Sequence, residues 1–239
     1  MIIIGLLSGL FKNIIMFTSL VFVHELGHFF VAKIFKWNID KIYFYPYGGF
    51  TKFNEELNKP KYQELFIMLS GPITQVVYYL LLIKFNFLSF YDMSLFTNYH
   101  YSILFFNLLP IYPLDGGKFF NILLNYYFSF RKSLKLIFLI SYIVIFIFFV
   151  IAFLNKISFS LSSLLVIILV MCKLTQETKK EKYYFNKFLL ERHLNNYKFS
   201  KIQVIKGIEY VKRDYKHVIY DGKTTKTEKE ELAKYFGNL

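Results

Sequence analysis

The sequence predicts a mainly α-helical, polytopic transmembrane bundle of about five to six spans, followed by a small cytosolic α+β module. Three observations predict it. The 239-residue chain is 55% hydrophobic, with 30 Phe and 20 Tyr, and its apolar residues fall in long blocks, as in chains that cross bilayers. Its 29 Lys and Arg against 16 Asp and Glu give a net charge of +13, and these cations gather in particular connections. From Lys173 onward the composition changes to sixteen Lys/Arg and nine Asp/Glu with no apolar run long enough to span. The expected organisation is a membrane-embedded part over 1–172 and a cytosolic tail over 173–239.

Met1–Leu10 (MIIIGLLSGL) lacks a basic start and a small-residue cleavage site, so it does not read as a secretory signal. Ten residues reach only ~15 Å of a core roughly 30 Å thick, which makes the segment an interfacial stub or the end of a longer helix. Five spanning candidates follow: Ile14–Phe35, Leu65–Ile83, Tyr101–Leu124, Leu136–Leu154 and Ile157–Cys172. The last is short, but Lys156 and Lys173 flank it and can snorkel to the surfaces. In the tail, KFLLE at Lys187–Glu191 and the stretch Glu228–Phe236 read as helical. Ile202–Tyr220 has the alternation of strands, as in IQVI and HVIY.

The connections test this topology. Lys36, Lys41, Lys52, Lys59 and Lys61 lie between the first two spans, Lys84 alone in the next connection, Arg131, Lys132 and Lys135 in the third, and Lys156 alone in the fourth. That alternation follows the positive-inside rule and puts 36–61, 125–135 and the tail in the cytosol. It accounts for much of the positive charge without nucleic acid as a partner; the implied surroundings are a lipid bilayer. A single cysteine, Cys172, excludes an internal disulfide and a cysteine-built metal site.

The first span carries VFVHELGHFF at residues 21–30, with His24, Glu25 and His28 in H-E-x-x-H spacing. On a helix, positions i and i+4 differ by about 40° in azimuth, so both imidazoles leave one face toward one point. That bite suits a zinc ion, and Glu25 beside the first ligand can reach a water that the ion activates. Two core histidines bonded to neighbouring helices are the plainer reading, but in a bilayer each such group needs a specific partner. Zinc needs a third protein ligand. His100, His193 and His217 show no pairing pattern and read as ordinary loop or surface histidines. Asp115, in NLLPIYPLDGG at 107–117, is the candidate, because Pro110, Pro113 and the Gly116–Gly117 pair interrupt a spanning segment. Broken backbone at that depth lines a cavity or is buried in protein; the alternative is a solvated aspartate at the end of a span. Zn²⁺ with the Glu25 and Asp115 carboxylates sums to zero charge, offsetting a cost of ~2.5–3.5 kcal/mol for an unpaired carboxylate at the bilayer centre. The chemistry such a set supports is hydrolysis of a peptide bond, with Glu25 as general base and then general acid. Ile39–Phe50, containing Tyr47-Gly48-Gly49, could form an extended hairpin or re-entrant loop that pairs with an unwound substrate; an ordinary amphipathic loop is the alternative.

FVHELGHFFVAKIF, PYGG, LSGP at Leu69–Pro72, FFNLLPIYPLDGGK and KFLLERH at Lys187–His193 together resemble the site-2 proteases, intramembrane zinc metalloproteases of the M50 type, and most of all the members that act in sporulation. The resemblance covers nearly the whole chain. It implies His24, His28 and Asp115 as zinc ligands, Glu25 as catalytic base and Asn107 as a residue that positions substrate near the site; Gly48 and Gly49 of the 39–50 stretch are the further substrate-binding candidates. It further implies the precursor of the late mother-cell sigma factor (pro-sigma-K) as substrate, the membrane surrounding the forespore as location, and inhibitory membrane proteins as partners. The tail resembles a small CBS-like regulatory domain, whose relatives sense nucleotide, although no nucleotide-binding signature stands in 173–239. Other members have a further span before the HELGH helix, to whose end Met1–Leu10 corresponds. Two alternatives remain: a site-2 protease acting on an anti-sigma factor or a remnant signal peptide, and a non-proteolytic membrane zinc carrier.

Overall fold

The computed structural model describes residues 11–37, 39–45, 48–53, 57–154, 161–195, 201–220 and 224–237, together with residues 197, 199 and 222. Met1–Leu10, Pro46, Tyr47 and residues 155–160, with Lys156, lie outside these residues. The chain divides into two compact units, residues 1–55 with 62–109, and residues 56–61 with 110–239.

The first unit holds α1 (Phe11–Ile34), a hairpin of β1 (Ile39–Tyr45) and β2 (Gly48–Phe53), α2 (Lys61–Phe85) and α3 (Phe90–Leu108). Helix α1 is apolar around most of its circumference; the hydroxyls of Thr18 and Ser19 bond back to the carbonyls of Ile14 and Met16, 2.7 and 2.8 Å away, so neither is left unsatisfied in an apolar setting. The helix stops where Lys36 adopts a positive φ of 56° and the Trp37 N–H donates to the Ala32 carbonyl at 2.9 Å, closing the orphan carbonyls. Met16 and Leu20 of α1 pack on Phe96 and Ile103 of α3. Strands β1 and β2 pair antiparallel, with Phe44 opposite Gly49 and Tyr45 opposite Gly48, so the extended hairpin expected for 39–50 forms.

The second unit holds α4 (Asp115–Tyr127), α5 (Phe130–Leu154), α6 (Leu161–Lys179), α7 (Glu181–Leu194), β3 (Lys201–Ile205), a 3₁₀ turn (Ile208–Tyr210), β4 (Tyr215–Tyr220), β5 (Thr225–Thr227) and α8 (Glu228–Gly237). The sheet order is β3-β4-β5, with β3 parallel and β5 antiparallel to β4. One core joins Phe130, Ile137 and Phe138 of α5, Phe185, Phe188 and Leu189 of α7, Ile205, Ile219 and Leu232; the Phe130 and Phe188 rings stack at 4.2 Å. The KFLLERH stretch thereby gains a physical role. Its Phe188 and Leu189 fill the core, Glu191 accepts from the Leu57 N–H at 2.8 Å, and Arg192 holds Glu228 through Nε at 2.5 Å and Nη2 at 3.0 Å. Lys61, at the start of α2, is buried, with its Nζ 3.2 Å from the Asn125 carbonyl and 3.3 Å from Asp214.

Among the described residues, α1, α2 and α5 are long and apolar enough to cross a bilayer, with mean hydropathies of 1.7, 1.8 and 3.1. Their 24 or 25 residues reach roughly 36 Å, more than the ~30 Å hydrocarbon core. Side chains such as Phe66, Leu80 and Phe146 are exposed, a liability in water and the expected surface in lipid. This is a membrane protein.

The third expected span differs from the structure. Tyr101–Leu124 is not one element: α3 already begins at Phe90, where the Ser89 hydroxyl accepts from the Asp92 N–H at 3.3 Å, and it ends at Leu108. Pro110 and Pro113 withdraw backbone donors and push the preceding residues into extended conformations; Leu109 sits at φ −59°, ψ 139°. Helix resumes only at Asp115. His100 and His217 are also not the surface residues expected. His100 is buried inside α3, and His217 is wholly buried on β4, with Nδ1 3.1 Å from Glu228. The Lys212 N–H donates to His217 Nε2 at 3.2 Å, so Nδ1 carries the proton and donates to the carboxylate.

Candidate metal centre

His24, Glu25 and His28 occupy adjacent turns of α1 and are buried, at 2%, 8% and 4% exposure. Their candidate ligand atoms all lie within 4.8 Å of one another. The two imidazoles meet edge to face, at 74° between planes, with their Nε2 atoms 3.2 Å apart. Two nitrogens bound tetrahedrally at 2.0–2.1 Å would be about 3.3 Å apart, so the pair already has the required bite.

The far side of each ring explains why the Nε2 atoms face each other. His28 Nδ1 donates to the Ile67 carbonyl at 2.7 Å; a carbonyl only accepts, so the proton is on Nδ1 and Nε2 carries a lone pair. His24 Nδ1 lies 3.0 Å from Gln75 Oε1, which imposes the same tautomer. Two lone pairs aimed into one space repel unless a cation lies between them. That donor set fits zinc.

The space itself is kept by glycine. A Cβ built on Gly71 would overlap the His28 ring and lie 2.7 Å from His24 Nε2. Gly27 serves packing instead: a Cβ there would lie 2.5 Å from the Ser70 carbonyl oxygen of α2, so the helices approach closely only without one. The Thr74 hydroxyl is 3.2 Å from the Val23 carbonyl on α1, holding the same contact. The LSGP stretch therefore supplies Gly71 as a gap over the imidazoles. Its Pro72 cannot donate to the Met68 carbonyl, so it interrupts the bonding pattern of α2 at the residue after the Ile67 carbonyl that receives His28.

The other expected residues lie as follows. Asn107 is half-buried in the last turn of α3, and Gly48 and Gly49 open β2. Asp115 is the first residue of α4, in the second unit, and is half-buried. Its turn is held by the Ser141 hydroxyl of α5, which accepts from the Tyr112 N–H at 2.9 Å. A Cβ on Gly117 would come within 2.5 Å of the Ile111 carbonyl oxygen and the Tyr112 nitrogen, so the second glycine of D-G-G is a steric requirement of this break. Sequence reasoning missed Gln75, the Ile67 carbonyl and the role of Gly71. A glycine inside an otherwise apolar helix was the signal for the last of these.

A membrane-crossing helix carrying a buried His-Glu-His cluster with zinc bite defines a membrane metallopeptidase. Residues 12–95 match the model of peptidase family M50. Stage IV sporulation protein FB of Bacillus subtilis is 31% identical over 201 residues, covering 80% of this chain and 67% of that protein. A zinc metalloprotease of Methanocaldococcus jannaschii is 32% identical over 131 residues, 52% of this chain and 37% of that protein. The solved site-2 protease of the same archaeon superposes with a TM-score of 0.57 at 26% identity, covering 74% of this chain and 83% of that one. The chain belongs to peptidase family M50, the site-2 proteases, and zinc is the metal that membership implies.

Proposed function

We propose that His24, His28 and Asp115 hold zinc, that Glu25 is the catalytic base, and that the protein removes the pro-sequence of the late mother-cell sigma factor precursor, pro-sigma-K. The metal reading is carried by the two Nε2 atoms 3.2 Å apart, on rings whose far nitrogens are engaged by Ile67 and Gln75. Asp115 as third ligand is supported by its place in the broken segment after α3, and the substrate by likeness to the sporulation protein.

Bound zinc would lower the pKa of a water to about 7 and polarise the scissile carbonyl. Glu25, withdrawn from bulk solvent, takes the proton as the water oxygen bonds to the carbonyl carbon, and returns it to the amine as the C–N bond breaks. Asn107 and the Gly48–Gly49 end of the hairpin position an unwound substrate strand, for which an extended two-stranded hairpin offers an edge. The alternation of Lys and Arg supports a catalytic side facing the mother-cell cytosol, in the membrane surrounding the forespore. Membrane proteins that hold the protease inactive are its expected partners. Residues 1–172 form the catalytic part, and 173–239 a regulatory tail with nucleotide as candidate effector.

Co-expression with pro-sigma-K tests this reading. The parent chain processes the precursor, while Glu25→Gln retains zinc and processes none; equal processing by both contradicts it. Cleavage only of an anti-sigma factor or remnant signal peptide moves the substrate assignment, and zinc uptake without cleavage favours a carrier.

A further inference from the structure

We propose that Gln75 is a positioning residue for the metal centre and that His100 locks it in place, so that the two fix the tautomer and aim of His24. The proposal deepens the zinc-protease reading and rests on it.

Gln75 lies on α2 and is fully buried. Its Oε1 faces His24 Nδ1 at 3.0 Å, while its amide nitrogen donates to the His100 carbonyl at 2.9 Å and to His100 Nδ1 at 3.3 Å. A primary amide can be turned two ways, and its surroundings here allow one. Turned over, its oxygen would face the His100 carbonyl oxygen, two acceptors with no proton between them. With the amide fixed by His100, Oε1 is the group that meets His24 and can only accept. The His24 proton must then stay on Nδ1, which leaves Nε2 as a lone pair directed at the metal space.

His100 is itself held. It is 2% exposed, its ring is stacked on Tyr79 at 4.2 Å and 5°, and accepting from Gln75 at Nδ1 places its own proton on Nε2. The relay therefore runs from α3 through α2 to α1, and each of its hydrogen bonds pairs a donor with an acceptor. Packing alone does not require it, because a methionine side chain would occupy the volume of Gln75 without importing polar groups into an apolar interior. His28 needs no such device, since a backbone carbonyl receives it directly.

The test uses the full chain in detergent micelles and reads zinc affinity by chelator competition, alongside the thermal midpoint of the metal-free protein. Gln75→Met removes the acceptor and should weaken zinc binding about 10–100-fold. Gln75→Glu keeps an oxygen opposite His24 but turns a second oxygen on the His100 carbonyl in place of the amide donor, so it should lose less affinity than Gln75→Met, whatever either change does to the midpoint. Unchanged zinc affinity in Gln75→Met overturns the proposal, as does an equal loss in both variants. If Gln75→Met does not fold, His100→Leu takes its place: it keeps the carbonyl, loses the Nδ1 acceptor, and should weaken zinc by a smaller factor. No change there is equally contrary. If the parent chain binds no zinc that His24→Ala abolishes, the metal reading itself fails, an outcome distinct from a parent that binds zinc with a silent Gln75.

Discussion

Gly71→Ala adds one methyl group to the centre and nothing elsewhere. Inside α2 alanine is the better helix former by about 1 kcal/mol, so the helix does not suffer from the change. The new Cβ, however, would lie 2.7 Å from His24 Nε2 and closer still to the His28 ring, whereas ordinary contact begins at 3.4 Å. His24 would have to withdraw by about 0.7 Å, several times the ~0.2 Å tolerance of a zinc–nitrogen bond. At least one imidazole then leaves the ion, and zinc affinity should fall by ~100-fold or more, past what losing a supporting hydrogen bond costs. Chelator competition measures the affinity, far-UV circular dichroism confirms the helices, and cleavage of a membrane substrate should fall in parallel. A Gly71→Ala protein with the parent's helicity, zinc affinity and cleavage would refute the placement of the metal between these two rings.

In the second unit, burial acts to raise the Glu228 carboxyl, but hydrogen bonds from His217 and Arg192 outweigh it and hold it at about 2 against an ordinary 4.5. The ionised group therefore contributes about 3 kcal/mol that is fully present above pH 4.5 and lost as pH falls toward 2. Protection factors of the β4 and α8 amides, which divide out the pH dependence of intrinsic exchange, should fall as pH drops through that window in the parent, and Glu228→Gln should be destabilised at neutral pH by ~3–5 kcal/mol with the window flattened; protection independent of pH there would contradict the pairing. Ser141→Ala removes the hydroxyl that accepts from the Tyr112 N–H and should cost about 1 kcal/mol, read as a lower thermal midpoint; an unchanged midpoint would show that the hydroxyl does not hold the segment before Asp115.

Much of this was legible in the chain. H-E-x-x-H spacing places two imidazoles on one helix face whatever the surroundings, and the runs around residues 14–35, 65–83 and 136–154 announced their helices by length and apolarity. In the tail, β3, β4 and the helices containing Lys187–Glu191 and Glu228–Phe236 followed from period, whereas the three-residue β5 was too short to show one. The start of α3 did not: Asp92, Asn98 and His100 dilute its apolarity, and only the Ser89 cap, a local bond, marks where it begins. The prolines did signal the break after Leu108. Gln75 and His100 stayed hidden because each matters through a partner on another helix, and no spacing along one segment records that. Lys61 reads as a loop cation in a topological tally, yet it is buried against Asn125 and Asp214, because a long side chain can enter a core when carbonyl and carboxylate partners are waiting.

X-ray absorption at the zinc edge on the full-length, zinc-loaded protein tests the central claim most directly. Two imidazole nitrogens at about 2.0–2.1 Å should appear in the parent, and the imidazole signal should fall in both His24→Ala and His28→Ala. A spectrum without imidazole scattering, or one that neither substitution changes, would contradict the account.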